Sequence, residues 1–485
     1  MQNWVVEELR TSSLGDAKLD RRYEKVLDSL SQKPSASIPA ACRTWNETLG
    51  AYRFFQNERI DENGILKPHK DATLKRIQEQ KVILAVQDTT EIEVTRPNKN
   101  MENAGPLNDA SRLGFYNHAM LALNTEGIPL GIIGADMHAR DMADFLKGKE
   151  DKNDKEKSRK QKPIEEKESY RWIVGYRRAC EIQTLSPETK VVCVGDSECD
   201  IYELFVDNEY SKENKADWLI RACQDRSLRG EKIQNNTYPK LWDDVSETKV
   251  IGEFSIKVRK NKKQSKGNGK RNKTKKTARE TSVEVRSKQV VLKAPYRKGE
   301  KLEDVTVNAV LVREKKPPKD EPPVEWMLLT SLAIDTYKDV SDIIGYYCIR
   351  WQIEIYFRVL KSGCRVEHRQ FEYAERYKPC LAIYMIIAWR VMFTLMLGRE
   401  CPDMKCDEVF SEAEWKSVYL VVKGQKPPAN TPTLGQIIKM IAQLGGYIGR
   451  KHDGPPGPKA MWIGMQRMRD FAITYQAVLQ IEGSK

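Results

Sequence analysis

Four side chains in one short run have the types and spacing to handle a phosphodiester. They are Tyr347, Arg350, Glu354 and Lys361, in Tyr-Cys-Ile-Arg-Trp-Gln-Ile-Glu-Ile-Tyr-Phe-Arg-Val-Leu-Lys. The run contains no Gly or Pro and is long enough for about four helical turns. At about 100° per residue the four fall within roughly 60° of one another, while Ile349, Ile353 and Leu360 can face a core. A carboxylate flanked by cations adds little stability at a surface. It can, however, hold a metal ion while the cations hold phosphates. The same pattern suits a plain amphipathic helix with an Arg350–Glu354 pair one turn apart, so the remaining acids decide between the two.

Two further acids follow short apolar runs. Lys81-Val-Ile-Leu-Ala-Val-Gln87 reads as a buried strand with Asp88 at its end, then Thr89 and Thr90. Lys190-Val-Val-Cys-Val-Gly195 reads as a second, ending in Asp196, with Glu198 and Asp200 beyond. A carboxylate at a buried strand end needs a partner, and two that approach each other need a cation between them. Unrelated turn aspartates would look the same.

Composition narrows the partners. The 485 residues allow two to four domains, and 82 Lys and Arg against 69 Asp and Glu give a net charge of +13 and a pI near 9.0. Such a balance favours a polyanion, nucleic acid first. Ten cysteines form no CxxC or Cys/His cluster, Cys401 and Cys406 coming nearest. Disulfide frameworks and zinc modules are therefore set aside in favour of reduced thiols in a cytoplasmic protein, and the N-terminus carries no secretory signal. Leu381–Leu397 is apolar enough to span a membrane, but Arg390 near its middle favours a buried core helix.

The elements that must position these acids can be read in order. Residues 1–70 are helical: Asp16 caps a helix bearing Lys18, Arg21, Arg22 and Lys25, ended by Lys33-Pro34, and Trp45–Phe55 follows with Arg43 and Arg53. Taken alone, these basic faces read first as solvated helix faces, with a DNA-end contact as the functional alternative. His118–Asn124 and Ile128–Asp136 form a hairpin around Asn124–Gly127, Trp172–Ile182 is helical, and Asp217–Cys223 is a strand, so the order gives a mixed α/β sheet. Residues 147–168 read as a mixed-charge loop with no chemistry. Over 225–325, strand-like Phe254–Arg259, Ser282–Arg286, Val290–Lys293 and Val305–Arg313 form a β insertion. Its loop carries twelve Lys and Arg and no acid between Glu253 and Glu280. Trp326–Leu332 returns to the sheet. Beyond Lys361 the chain is helical, over 381–398, 409–423, 433–449 and Met461–Gln480. The last helix carries a Met461, Trp462, Met465, Met468, Phe471, Ala472 stripe suited to packing in cis or on a second subunit.

With the three acids in hand, the chain resembles DDE transposases of the bacterial insertion-sequence-four family, and is close in layout to the transposon Tn-five transposase. Tyr347, Arg350, Glu354 and Lys361 match the family signature Tyr-(2)-Arg-(3)-Glu-(6)-Lys at each spacing. Gln87-Asp88-Thr89-Thr90 and Gly195-Asp196-Ser197-Glu198-Cys199-Asp200 resemble its two aspartate motifs. Gly50-Ala-Tyr-Arg-Phe-Phe-Gln56, Glu166-Lys-Glu-Ser169 with Trp172, Trp326–Ser331, Val366–Glu372 and Leu444–Tyr447 match in the same order. Two positions depart: Ser197 stands where a basic residue is common, and Phe357 where the near relative has histidine.

The resemblance implies a ribonuclease-H-like mixed-sheet catalytic core at 71–370, interrupted by the basic β insertion. It implies a helical DNA-end-binding domain at 1–70 and a helical dimerisation domain at 371–485. It implies that Asp88, Asp196 and Glu354 are catalytic and hold two Mg²⁺ ions, with Mn²⁺ able to substitute. The activity implied is cut-and-paste DNA transposition by end nicking, hairpin formation and opening, and strand transfer into target DNA. DNA contacts would fall to Tyr347, Arg350, Lys361, Trp326, Arg221, Lys18, Arg21, Arg22 and Arg53. The partners would be transposon-end DNA, target DNA and a second copy of the chain in a synaptic complex, with no membrane, in a nucleoid-associated cytoplasmic setting. The rival readings are a non-catalytic end-binding inhibitor and a host ribonuclease-H-like nuclease.

Overall fold

The computed structural model describes residues 2–483 apart from 43, 98, 151–161, 208, 212–213, 233–236, 259–260, 265–272, 277–278, 298–300 and 320. Arg43, Arg259, much of the 147–168 loop and much of the basic loop thus lie outside the described residues. The chain forms two compact units: Met1–Lys81 with Thr89–Asp151 and Gln352–Lys485, and Val82–Asp88 with Lys152–Trp351. Strand β1, Val82–Glu93, contributes to both.

In the first unit, Asp16 accepts the Lys18 amide at the start of helix Ala17–Gln32, and Tyr23, Val26, Leu27 and Leu30 line its buried face at three- and four-residue steps. Thr44 caps Trp45–Phe55 in the same way. Strand β2, Gly105–Pro106, pairs with β3, Leu113–Asn124, which pairs antiparallel with β4, Pro129–His138. The hairpin turns where expected: Asn124 Oδ1 accepts the Glu126 and Ile128 amides and Gly127 adopts a φ of +83°. Helix Ala374–Glu400 is, among the described residues, the one helix long and apolar enough to cross a membrane. It is buried, and Trp389 donates to the Pro129 carbonyl at 2.8 Å, so it is a core helix. Helices Glu412–Lys423, Leu434–Leu444 and Pro458–Gly483 complete the unit. Met461, Trp462, Met465, Met468 and Ala472 are buried, so this part of the stripe packs in cis. Val478, Leu479 and Ile481 remain exposed.

A buried charge network ties this unit together. Glu8 accepts from Arg76 and lies 2.6 Å from His69 Nδ1, while His69 Nε2 accepts the Ile132 amide at 2.8 Å. That acceptor role fixes His69 as neutral with its proton on Nδ1. Burial pushes the His69 pKa down, against the pull of Glu8. Burial alone would raise Glu8, but the hydrogen bond from His69 and the bonds and charge of Arg76 hold it below its ordinary range. Both groups bind fewer protons folded than unfolded, so both favour the fold less as pH falls. His69 acts first, below its ordinary 6.5, and Glu8 below 4.5. The unfolding free energy is therefore expected to decline from pH 7 to pH 5, at up to about 1.4 kcal/mol per pH unit. His69→Gln should flatten that limb even if it lowers the plateau; an unchanged slope in urea titrations would refute the assignment.

In the second unit the Val82–Asp88 part of β1 pairs parallel with β5, Lys190–Gly195, and β5 pairs parallel with β6, Asp217–Arg221. The β insertion supplies β7, Gly252–Val258, the short hairpin β8, Asn261–Gln264, with β9, Lys273–Lys276, then β10, Arg279–Leu292, and β11, Val305–Glu314. Strand β12, Glu325–Thr330, joins β11 to β6, all antiparallel, giving the mixed sheet with an inserted antiparallel extension that the ribonuclease-H-like reading requires. One expectation is corrected. Ser282–Arg286 and Val290–Lys293 are not two strands: the first and all but Lys293 of the second are parts of β10, whose buried face switches from Val283 and Val285 to Val290 and Leu292. The break in alternation, read along the sequence, looks like a turn.

Candidate active site

Strand register places the first two acids. Val86 pairs with Val194, the last pair of the β1–β5 ladder, so Asp88 and Asp196 each stand two residues beyond matched partners. Parallel neighbours lie about 4.8 Å apart and residues two apart share a face, so the ladder directs both residues toward one face just past its last pair. Asp88 is not at a strand end as expected: β1 continues to Glu93, because the β-branched Thr89, Thr90 and Ile92 extend it. Asp196 does leave its strand, and its carboxylate accepts the Glu198 amide at 2.8 Å. Burial and the Asp196 charge raise the Glu198 carboxyl above its ordinary range, with Arg171 opposing. The spot is rich in negative charge.

Basic and aromatic groups of the same unit surround the pair. Arg350, 3% exposed, places Nη1 3.7 Å from Asp88 Oδ2 and its guanidinium 4.9 Å over the Trp351 ring. Arg221 donates to Ser197 Oγ at 3.0 Å, so the serine at the departing position receives a cation from the next strand. Tyr347 is buried, with Trp326 edge-on at 5.1 Å. Burial raises its hydroxyl pKa, while Arg221 and Arg350 pull it back.

The single four-turn helix expected over Tyr347–Lys361 is corrected. Helix Tyr337–Ile349 stops at Arg350, whose amide bonds back to the Tyr347 carbonyl. Helix Gln352–Arg358 then runs into a π turn at Val359–Gly363, closed by the Cys364 amide on the Val359 carbonyl. The extra residue of a π turn shifts everything after it, so the four residues do not share one straight stripe. In the first unit, Glu354 is exposed in the first turn of Gln352–Arg358. Lys361 donates to the Glu91 carbonyl at 2.7 Å and pairs with Glu367 at 3.1 Å. Phe357 is buried against Tyr356. Lys18, Arg21, Arg22 and Arg53 are exposed on their helices, with the Arg22 guanidinium lying over Gly50.

Asp200, though within the second acid motif, drew no role from the sequence. It is fully buried and accepts from Arg226 Nε at 3.0 Å and from the Cys223 and Gln224 amides, pinning the segment after Asp196 to the exit of β6. Asp200→Ala leaves the Arg226 charge buried without this partner and is expected to cost about 3–5 kcal/mol. Denaturant titration would show this; a loss under about 1 kcal/mol would contradict it.

Three protein-family models match successive stretches of the chain: Transposase DNA-binding over residues 1–60, Transposase DDE domain over 196–385, and Transposase Tn5 dimerisation domain over 386–478. Among solved structures, a piggyBac transposase synaptic complex with hairpin DNA is similar over 97% of this chain and 81% of that one. Its identity is 9% and its TM-score 0.34, too slight to bear on the site. The chain belongs to the DDE transposases, as a DNA transposase of the Tn5 type that cleaves DNA and joins strands. Its partners are DNA and a second copy of itself, and its family works with divalent metal ions. The aspartates suit such an ion: hard cations take oxygen ligands, and side-by-side carboxylates repel unless a cation lies between them. Among the described residues no three His, Cys, Asp or Glu side chains form a metal-holding group by themselves.

Proposed function

We propose that Asp88 and Asp196, joined by Glu354, hold two Mg²⁺ ions and that this site performs cut-and-paste transposition. The observation that carries the reading is that each aspartate lies two residues beyond the last pair, Val86 with Val194, of the parallel β1–β5 ladder. Mn²⁺ can replace Mg²⁺, and the bound ions supply activation of the attacking hydroxyl and stabilisation of the leaving oxygen in an in-line displacement. The chain's own residues orient the DNA. Arg221 beside Ser197 can offer its guanidinium to a phosphate, while Arg350, expected as a DNA contact, is buried beside Asp88 and would act on DNA only through that carboxylate. Tyr347 backs Trp326, whose half-exposed ring can stack on an unpaired base. Lys361 adds a further cation once DNA competes with Glu367 for it.

In this reading the site nicks the transposon end, the freed 3′-hydroxyl attacks the opposite strand to make a hairpin, and the reopened end joins target DNA. Lys18, Arg21, Arg22 and Arg53 contact the end, together with the basic insertion. Two copies, paired through the exposed apolar turns at Val478, Leu479 and Ile481, hold two ends in one synaptic complex. The protein works in the cytoplasm on nucleoid DNA. The test is a donor plasmid carrying the element's own terminal repeats. Mg²⁺-dependent release of hairpin-ended DNA followed by integration supports the reading; blunt hydrolysis without strand transfer refutes it.

A further inference from the structure

Gln87 has no part in the chemistry above, yet it is fully buried on the strand that presents Asp88. Strand faces alternate, so its carboxamide lies on the side of the sheet opposite Asp88. There Nε2 donates to the Trp172 carbonyl at 3.3 Å, in the first turn of helix Tyr170–Leu185, and to Cys193 Sγ at 3.2 Å, and lies 3.8 Å from Cys199 Sγ. Cys193 stands three residues before Asp196 and Cys199 three after it. One amide therefore links the Asp88 strand to both flanks of Asp196.

The surrounding backbone leaves room for this link. A Cβ at Gly175 would lie 2.0 Å from Gln87 Oε1, and one at Gly195 would lie 2.7 Å from Cys199 Sγ. Ile83, Leu84, Ala85 and Val86, which precede Gln87 on the strand, are fully buried and apolar. Packing alone would favour another apolar residue at 87, since a buried amide contributes little net stability and costs more when poorly paired. The polar choice, and the glycine that admits it, point to a geometric task.

We propose that Gln87 is a positioning residue. From the hidden face of the sheet it sets the spacing of Asp88 and Asp196, and so the strength with which they hold a divalent cation. This rests on the reading of the two aspartates as metal ligands. Mn²⁺ binding to the full-length protein, followed by electron paramagnetic resonance, tests it beside cleavage of end DNA. Gln87→Leu keeps the bulk and removes both donors; Gly175→Ala keeps the glutamine but displaces its carboxamide. Each is expected to weaken Mn²⁺ binding about ten- to a hundred-fold, as groups that orient metal ligands do. End binding should hold, and cleavage should recover as Mn²⁺ is raised. Wild-type Mn²⁺ affinity in both variants overturns the proposal, as does weak cleavage that added Mn²⁺ does not restore. If Gln87→Leu fails to fold, Gly175→Ala and Gln87→Met are judged by the same criteria. Asp88→Ala separates the two layers. If it binds Mn²⁺ normally, the metal assignment itself fails; if it abolishes binding while Gln87→Leu changes nothing, only the positioning role fails.

Discussion

Asp88→Ala, Asp196→Ala and Glu354→Ala should each reduce end cleavage by at least about a thousandfold while leaving end binding near wild type. Removing one preorganised electrostatic partner of a reacting group commonly costs about 10²–10³ in rate, and a carboxylate that holds the metal removes several interactions at once. Asp88 and Asp196 each lie two residues past the last pair of the β1–β5 ladder, so in the proposed site the loss of either removes one of two ligands supplied from adjacent strands. Glu354 is exposed, so its substitution carries little folding cost and is the cleanest of the three. The double variant Asp88→Ala, Asp196→Ala should be no worse than the singles, because residues acting as a unit are not additive. Single-turnover cleavage of a labelled end duplex, beside a gel-shift assay, reads both quantities. Cleavage within tenfold of wild type in any single variant would remove that residue from the site.

Arg350→Ala is expected to lose about a hundredfold in cleavage, with Arg350→Lys recovering only part of it. The guanidinium is buried near Asp88 and stacked over Trp351. That contact holds the Asp88 carboxylate in place on its strand. Lysine restores charge but not the planar fork or the stacking. Because Arg350 is buried, its loss also lowers stability, so the thermal midpoint must be measured in parallel. The expected signature is a rate loss that persists well below the melting transition. A variant whose activity simply follows its folded fraction would assign Arg350 to packing alone.

Much of the arrangement was legible because period and chemistry agreed. The apolar runs before Asp88 and Asp196 are strands, the Asn124–Gly127 turn closes its hairpin, and a mixed sheet with a β insertion follows. What failed did so for local physical reasons. No Gly or Pro marks the break at Arg350, whose own dihedrals stay helical, so nothing in the local composition announces it. The π turn at Val359–Gly363 leaves no compositional trace. Strand β10 looked like two because its buried face changes sides. Gln87 and Asp200 went unassigned because a buried polar residue shows its purpose only through partners distant in sequence: Trp172 and Cys193 for one, Arg226 for the other.

Each unit is assembled from separated stretches of chain, and this sets an order on biosynthesis. The unit bearing the two aspartates is complete in sequence once Trp351 has left the ribosome. The N-terminal helices must wait for Gln352–Lys485, since Arg369 donates to the carbonyls of Pro34 and Ala36, and Gln466 to the Ser35 hydroxyl. Pairings across so much chain form slowly. A nascent polypeptide therefore carries the whole aspartate-bearing unit while its N-terminal helices still lack the neighbours that fix them.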